Sequence, residues 1–155
     1  MIVEVDRDSL RAAAEVHSVS WKDSHRAFCS EAFVEAHTPE RQEAYLLGKM
    51  RGGSRLFLLV DGSPAGVVSV AGDLIEDLYV LPECRGRGLG TRLLRYAMDR
   101  CAGIPSLWIL ENNRDAERLY LRMGFRRTGR TKAGTDGLNE IELALTDGPP
   151  VSRGP

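Results

Sequence analysis

A glycine-rich segment at residues 83–91 constrains the fold more than any other feature of the sequence. Glycine occupies every second position from 86 to 90, and arginines stand at 85 and 87. An apolar stretch that ends at Pro82 precedes the segment, and apolar residues three or four positions apart follow it. Because proline cannot donate to a strand ladder and this spacing is that of an amphipathic helix, the segment is a tight turn from a strand into a helix.

This turn is suited to hold a phosphate group. Glycines let backbone N–H groups converge on a ligand, and a helix N-terminus adds unpaired donors and a partial positive charge. Arg85 and Arg87 can add charge-assisted hydrogen bonds. The segment matches neither a P-loop, which needs a lysine after its last glycine, nor the dinucleotide pattern Gly-x-Gly-x-x-Gly. The alternative interpretation is a tight connection with incidental arginines.

Composition narrows the classes of function. The chain has 155 residues and a net charge of −1, so we expect a single domain without strong attraction to nucleic acid. Its cysteines, Cys29, Cys84 and Cys101, form no Cys-x-x-Cys pair, so we expect no disulfide framework, no metal site and a cytoplasmic location. Neither a signal-peptide pattern nor a long apolar run is present, so no membrane association is expected.

The hydrophobic periodicity predicts an α/β fold. Helices are predicted at residues 9–26, 39–51, 89–101 and 115–123, and strands at residues 1–5, 55–60, 65–71, 74–81, 106–110, 125–131 and 138–145. Since strand–helix–strand units cross over right-handed, strands 74–81 and 106–110 should be parallel. We therefore expect a mixed sheet of six or seven strands with about four helices. Residues 1–146 should form one domain, and residues 147–155 a disordered tail.

A second motif follows at residues 113–125. On a helix, Ala116 and Tyr120 share a face by the four-residue rule, and Asn113, seven residues before Tyr120, points nearly the same way. Taken alone, the motif fits either a helix N-cap at Asn113 with a half-buried core tyrosine, or a tyrosine that points into a gap between two central strands.

Together the two segments resemble the GNAT superfamily of acyl-CoA-dependent N-acyltransferases. The matching patterns are Arg-x-x-Gly-x-Gly at 85–90 and Asn-x-x-Ala-x-x-Leu-Tyr-x-x-x-Gly-Phe at 113–125, in the order and at the separation typical of the family. The resemblance covers residues 54–131. It implies a single domain with splayed parallel central strands, acetyl-CoA (coenzyme A) as cosubstrate, and no metal.

The resemblance also implies a role for each matched position. The backbone of residues 78–81 should bond the pantetheine arm like an added strand, residues 85–91 should cradle the pyrophosphate, Asn113 should hold the cofactor arm or anchor its loop, and Tyr120 should stand near the sulfur. The implied cofactor-binding residues are Leu78, Tyr79, Val80, Arg85, Gly86, Arg87, Gly88, Leu89, Gly90, Thr91, Asn113 and Tyr120.

Acetyl transfer to an amine needs an oxyanion site and a proton donor. Backbone N–H groups near Val80 could hold the developing oxyanion, and Tyr120 could protonate the departing thiolate. Neither Cys84 nor Cys101 has a histidine nearby in the sequence, so direct transfer is favoured over a covalent acyl-enzyme.

A lysine-like amine must also lose a proton, which costs about 4.6 kcal/mol at pH 7. Glu76 is the first candidate base, because strand alternation places it on the face of Leu78 and Val80, with Asp77 on the other face. Glu111 is the second candidate, and a water chain is the third.

The predicted function is therefore transfer of the acetyl group of acetyl-CoA directly to a primary amine of a small-molecule or peptide acceptor. Protein N-terminal or lysine acetylation, a toxin that acetylates aminoacyl-tRNA, and a non-catalytic acyl-CoA sensor remain as alternatives. The balance of 21 Lys and Arg against 22 Asp and Glu disfavours the tRNA substrate. A homodimer is left open.

Residues 21–38 lie outside the two matched motifs and combine aromatic, acidic and histidine side chains. They could form one wall of the acceptor pocket, or Trp21 and Phe28 could pack one helix face onto the sheet. The histidines, His17, His25 and His37, are interpreted as surface residues.

Overall fold

The computed structural model describes residues 1–134 and 137–146. The chain divides into two compact units, Met1–Cys101 and Ala102–Pro155. Seven strands and five α-helices occur in the described residues, which confirms the α/β class. The predicted tail at 147–155 lies outside the described residues.

The N-terminal unit consists of four strands and four α-helices. In chain order they are β1 (Ile2–Glu4), α1 (Leu10–His25), α2 (Glu31–Glu35), α3 (Pro39–Arg51), β2 (Arg55–Asp61), β3 (Ser63–Ala71), β4 (Leu74–Val80) and α4 (Leu89–Met98). The strands pair antiparallel in the order β1-β2-β3-β4. Strand β4 ends before Pro82, as predicted, and a 3-10 turn at Pro82–Cys84 follows it.

Local capping explains where α3 begins and why α2 was not predicted. Thr38 Oγ1 accepts a hydrogen bond from the Arg41 amide at 3.2 Å, and Pro39 takes the first helical position, as expected. Helix α2 has five residues, and within it only Val34 is fully buried. A helix of five residues is too short to show a periodic pattern, so periodicity did not predict it, although Ser30 caps it by accepting a hydrogen bond from the Phe33 amide.

The core lies on both faces of the N-terminal strands. Leu56 and Leu58 of β2 belong to a buried cluster with residues of α1 and α3. Phe57, between them, points the other way and contacts Tyr96 of α4, with ring centroids 5.0 Å apart. Alternation along β2 thus separates the α1–α3 side from the α4 side.

Gly66 in β3 allows α4 to approach the sheet closely. A Cβ at this position would lie 2.7 Å from Leu93 Cδ1 and 3.1 Å from the Tyr79 carbonyl oxygen. Leu93 is fully buried, so its side chain has little room to move aside. The missing side chain at Gly66 therefore sets the distance between β3 and α4, the helix that carries the glycine turn.

The C-terminal unit is a three-stranded antiparallel sheet with one helix in its described residues. It contains β5 (Ser106–Leu110), α5 (Arg114–Arg122), β6 (Phe125–Ala133) and β7 (Asn139–Leu145), with strand order β5-β7-β6. These elements were all predicted, within two residues at each end. The single domain over 1–146 and the parallel pairing of the two central strands stay predictions.

No helix in residues 1–134 and 137–146 is long and apolar enough to cross a membrane.

Candidate active site

The glycine turn leads directly into α4. Gly86 and Gly88 have φ of +80° and +74°, in the left-handed region that favours glycine. Gly88 is the N-cap and forms no side-chain cap, while Gly90 lies within the first helical turn. The amides of Leu89, Gly90 and Thr91 therefore have no intrahelical acceptor, and their donors are available to a ligand.

Each arginine of the turn is paired with an exposed carboxylate. Arg85 Nη1 lies 2.6 Å from Asp23 Oδ2 of α1, and Arg87 Nη1 lies 3.4 Å from Asp61 Oδ2 at the end of β2. About half of each of these four side chains is exposed, so the pairs are weak and exchangeable. Two cations and an uncapped helix N-terminus fit a pyrophosphate, which could displace both carboxylates.

A β-bulge in β4 changes which side chains share a face. Val67 pairs with Tyr79 and Ser69 pairs with Glu76, so three steps on β4 match two on β3. The extra residue allows Asp77 to take a left-handed φ of +56°. Lys49 contacts both Glu76 and Asp77, so the prediction that these carboxylates lie on opposite faces is wrong. Strand alternation fails here because the bulge shifts it by one residue.

The β4 backbone beyond the bulge directs one N–H away from β3. Leu81 donates its N–H to the Ala65 carbonyl at 2.8 Å. Because successive N–H groups of a strand alternate, the Val80 N–H points to the opposite edge of β4. This is the position at which the sequence predicted an oxyanion or pantetheine contact.

Asp77 is the buried centre of a polar group that we call the Lys49 cluster. Its carboxylate lies 2.9 Å from His17 Nε2, 2.9 Å from Ser69 Oγ and 2.6 Å from Lys49 Nζ. The members of the cluster are His17, Gln42, Tyr45, Lys49, Ser69, Glu76 and Asp77. They come from α1, α3, β3 and β4, so the cluster ties both helices to the bulge.

The hydrogen bonds fix the tautomer of His17. A carboxylate only accepts, so Nε2–H donates to Asp77, and Nδ1 accepts from the Gln42 amide at 2.8 Å. Burial raises the pKa of Asp77, but the His17 hydrogen bond and the Lys49 charge outweigh it and hold that pKa well below its usual range. Asp77 is therefore a permanent carboxylate at neutral pH.

The negative charge of Asp77 raises the pKa values of both Lys49 and Tyr45. Burial lowers the pKa of Lys49, but the opposing carboxylate of Asp77 raises it further, so the net pKa lies above its usual value. Burial and the same carboxylate raise the pKa of Tyr45 to about 12. Lys49 Nζ also lies 2.6 Å from Glu76 Oε1, and the Glu76 side chain is 39% exposed, so Glu76 is the carboxylate through which the cluster reaches solvent, beside the exposed Tyr45 ring.

The three histidines are not surface residues, contrary to the prediction. His17 and His37 are buried, and His25 is half-buried. The Trp21 indole is stacked between the rings of His25 and His37, with centroids 4.0 Å and 3.5 Å away. Burial lowers the pKa of both His25 and His37, so the stack is favoured in its uncharged form. Both faces of the indole are covered, which leaves only its edge to line a pocket.

In the C-terminal unit, the second motif forms the start and the buried face of α5. Asn113 Oδ1 accepts a hydrogen bond from the Ala116 amide at 3.3 Å, so Asn113 is the predicted N-cap. Tyr120 is 8% exposed and contacts Phe125 edge-on, with centroids 5.9 Å apart. Burial raises the pKa of Tyr120 above its usual value. Glu111, the second candidate base, is exposed just after β5.

Sequence reasoning missed most of the Lys49 cluster. Its one local signal was a polar stripe on the predicted helix at 39–51, where Gln42, Tyr45 and Lys49 recur at helical spacing. Buried Leu46 lies beside them, so this polar face turns toward the core. His17 and Asp77 are 60 residues apart, and no local pattern links them.

Comparisons with known proteins find relatives among the acetyltransferases. Residues 52–127 match the family described as acetyltransferase (GNAT) domain. An uncharacterized N-acetyltransferase of Archaeoglobus fulgidus is 26% identical over 151 residues, covering 87% of this chain and 99% of that protein. The peptidyl-lysine N-acetyltransferase YjaB of Salmonella typhimurium is 32% identical over 69 residues, covering 44% of this chain and 47% of that protein.

A solved structure shows the same fold. The PaiA N-acetyltransferase of Thermoplasma acidophilum, crystallised in complex with coenzyme A, aligns with a TM-score of 0.66 at 17% identity, covering 92% of this chain and 96% of that one. The glycine turn, the second motif and these similarities together assign the class: the chain belongs to the GNAT superfamily of acetyltransferases.

Proposed function

We propose that this protein transfers the acetyl group of acetyl-CoA directly to a primary amine. The observation that carries the proposal is the turn into α4. There Gly86 and Gly88 are left-handed, the helix N-terminus lacks a side-chain cap, and two arginines flank the open amides. An anion with two adjacent phosphates fits these donors.

Acetyl-CoA, when bound, supplies a thioester carbonyl that an amine can attack. Residues 85–91 would hold its pyrophosphate, and the β4 backbone from Leu78 to Val80 would hold the pantetheine arm. Asn113, which caps α5, would keep the neighbouring loop in place. The fit rests on amide donors at the start of α4 that have no intrahelical acceptor and no side-chain cap, and on positions without side chains.

The chain's own groups then have three tasks. The Val80 N–H, which points away from β3, stabilises the oxygen that becomes negative during attack. Glu76, the exposed carboxylate of the Lys49 cluster, takes a proton from the acceptor amine. Tyr120 gives a proton to the departing sulfur.

The raised pKa of Tyr120 supports one part of this role and limits another. The hydroxyl stays protonated at neutral pH, as a proton donor must. A weaker acid also transfers its proton less readily, so the donor needs the charge that develops on sulfur in the transition state. Tyr120 should therefore affect turnover and leave binding unchanged.

A peptide lysine is a second candidate acceptor, and one relative named as a peptidyl-lysine acetyltransferase favours it. A lysine side chain is an amine of high pKa, for which a base such as Glu76 matters most. For a small-molecule amine, residues 21–38 remain the proposed pocket wall, with Phe33 and the edge of Trp21 as its apolar part.

An experiment separates these possibilities. Isothermal titration calorimetry with acetyl-CoA tests binding, and thiol release measured over a panel of polyamines, amino acids, aminoglycosides and lysine peptides tests transfer. Binding with transfer to one class supports the proposal and names the acceptor. Binding without transfer to any amine of this panel or to aminoacyl-tRNA would identify a sensor, and absence of binding would overturn the proposal.

A further inference from the structure

Lys49 lies between two carboxylates of different character. Its ammonium is 2.6 Å from Glu76 Oε1 and 2.6 Å from Asp77 Oδ2, and its side chain is 14% exposed. Asp77 is 9% exposed, whereas Glu76 is 39% exposed. One cation therefore joins a buried, permanent anion to a carboxylate that solvent can reach.

Asp77 is held in place from several sides and Lys49 is held by Asp77. His17 and Ser69 donate to the Asp77 carboxylate, and Tyr45 OH lies 3.1 Å from it. In residues 1–134 and 137–146, Lys49 supplies the side-chain hydrogen bond found on the Glu76 carboxylate. The position of Glu76 thus depends on Lys49, and that of Lys49 depends on Asp77.

The two neighbouring charges act on Glu76 in opposite directions. The Lys49 cation favours a charged Glu76 carboxylate, and the Asp77 anion opposes it. The other polar groups packed against the two carboxylates are Tyr45 of α3, Ser69 of β3 and His17 of α1. Lys49 and Asp77 are therefore the charges that lie beside the Glu76 carboxylate.

We propose that Lys49 and Asp77 are positioning residues that hold the Glu76 carboxylate at the β4 bulge and set the lower pH limit of its action as a base. This proposal rests on the proposed function, in which Glu76 accepts a proton from the acceptor amine. Neither Lys49 nor Asp77 needs to touch the acceptor for this role.

The test is the pH profile of kcat/KM, measured with acetyl-CoA and the best amine of the panel. Lys49→Met removes the cation, so the acidic limb should move to higher pH. Asp77→Asn removes the anion, so Glu76 becomes the one carboxylate of this pair that faces the Lys49 cation. The acidic limb should therefore move to lower pH. Asparagine also tolerates the left-handed backbone at this position. Loss of packing alone would lower activity in both variants without opposite shifts.

Matched variants keep the test decisive. Lys49→Arg retains the charge and should return the limb toward its wild-type position. Arg11→Met removes an exposed cation that also bridges two carboxylates, Glu40 and Glu43, and should leave the limb unchanged. If Lys49→Met does not fold, the test depends on Asp77→Asn alone, whose acidic limb should move to lower pH. Unmoved limbs, or limbs that move the same way, would overturn the proposal.

Glu76→Gln distinguishes this failure from failure of the proposed function. If Glu76→Gln abolishes the acidic limb while Lys49 and Asp77 variants leave it in place, Glu76 is the base and only the positioning role is wrong. If Glu76→Gln keeps a wild-type profile, Glu76 is not the base and both statements fall.

Discussion

The glycine turn and the Lys49 cluster both place opposite charges together, but they do so in opposite ways. In the turn, Arg85 and Arg87 each contact one half-exposed carboxylate. In the cluster, the buried carboxylate of Asp77 has four side-chain partners. Open pairs exchange easily for a ligand, whereas buried pairs hold a geometry that is costly to change. The first region is therefore suited to bind, and the second to position.

Asp77→Ala should produce the largest effect in the comparison. Removing one partner of a buried ion pair costs about 3–5 kcal/mol, because it leaves groups without their partners. Alanine also fits poorly at a left-handed φ. Urea unfolding followed by circular dichroism measures the loss. Asp61→Ala, which removes an exposed partner of Arg87, should change stability by less than about 0.5 kcal/mol.

Acid titration of stability checks the same residue independently. The pKa of Asp77 is lower in the folded protein than in the unfolded chain, so its contribution is complete above the unfolded pKa and declines as the pH falls toward the folded pKa. Stability of the wild type should therefore fall as the pH drops below about 4. Asp77→Asn should show a shallower fall, and an equally steep fall would contradict the assignment.

Tyr120→Phe should have the next largest effect, and on turnover alone. The hydroxyl acts when charge develops on sulfur, so kcat should fall by roughly 10²-fold while the Kd for acetyl-CoA changes little. The ring packing against Phe125 is preserved. Steady-state kinetics and calorimetry measure the two quantities. Tyr96→Phe serves as the control, and wild-type kcat in the Tyr120 variant would remove this residue from the mechanism.

Gly88→Val should weaken acetyl-CoA binding by about tenfold or more, which corresponds to about 1.4 kcal/mol. A β-branched residue resists the left-handed φ of +74°, so the amides of the turn should lose their alignment. Gly53→Val introduces the same strain at the end of α3, where φ is +103°, and should leave calorimetric affinity unchanged. If both variants bind acetyl-CoA with equal affinity, the glycine turn is not part of the acetyl-CoA site.

Asp23→Asn should have the smallest effect, and in the opposite direction. Removing an exposed carboxylate frees Arg85, so acetyl-CoA should bind roughly two- to fivefold more tightly at low salt. Asp61→Asn should give a smaller gain, because the Arg87 pair is longer, at 3.4 Å. Weaker binding in Asp23→Asn would show that the pair orders the turn instead of competing with the ligand.

The same comparison explains how much of the protein was predictable from its sequence. The turn is encoded within nine consecutive residues, so its place after a strand and the start of the helix at Leu89 were both predicted. The Lys49 cluster unites positions from 17 to 77, and its geometry depends on one extra residue in β4. A bulge leaves no regular pattern in the sequence. Aspartate can adopt a left-handed backbone conformation, but an aspartate in a sequence does not by itself predict one. Alternation then assigned Glu76 and Asp77 to opposite faces, and that assignment was wrong.

The motif on α5 was more predictable from the sequence than the Lys49 cluster and less predictable than the glycine turn. Both interpretations offered for Asn113 and Tyr120 began from the same spacing, and the N-cap and the buried ring are now evident. Their contact with a cofactor stays a prediction, because helical spacing defines a face and does not define what that face meets.

Gly66 has a consequence for how freely this chain could be altered by random or directed mutagenesis. A library that varies β3 should recover almost every position with some apolar replacement, but position 66 should return glycine nearly alone. Even alanine would press on Leu93 and on the Tyr79 carbonyl, and would tilt α4 with the donors at its start. If selection for acetylation in cells depletes every residue except glycine at position 66, then helix packing, and not a catalytic group, restricts this position.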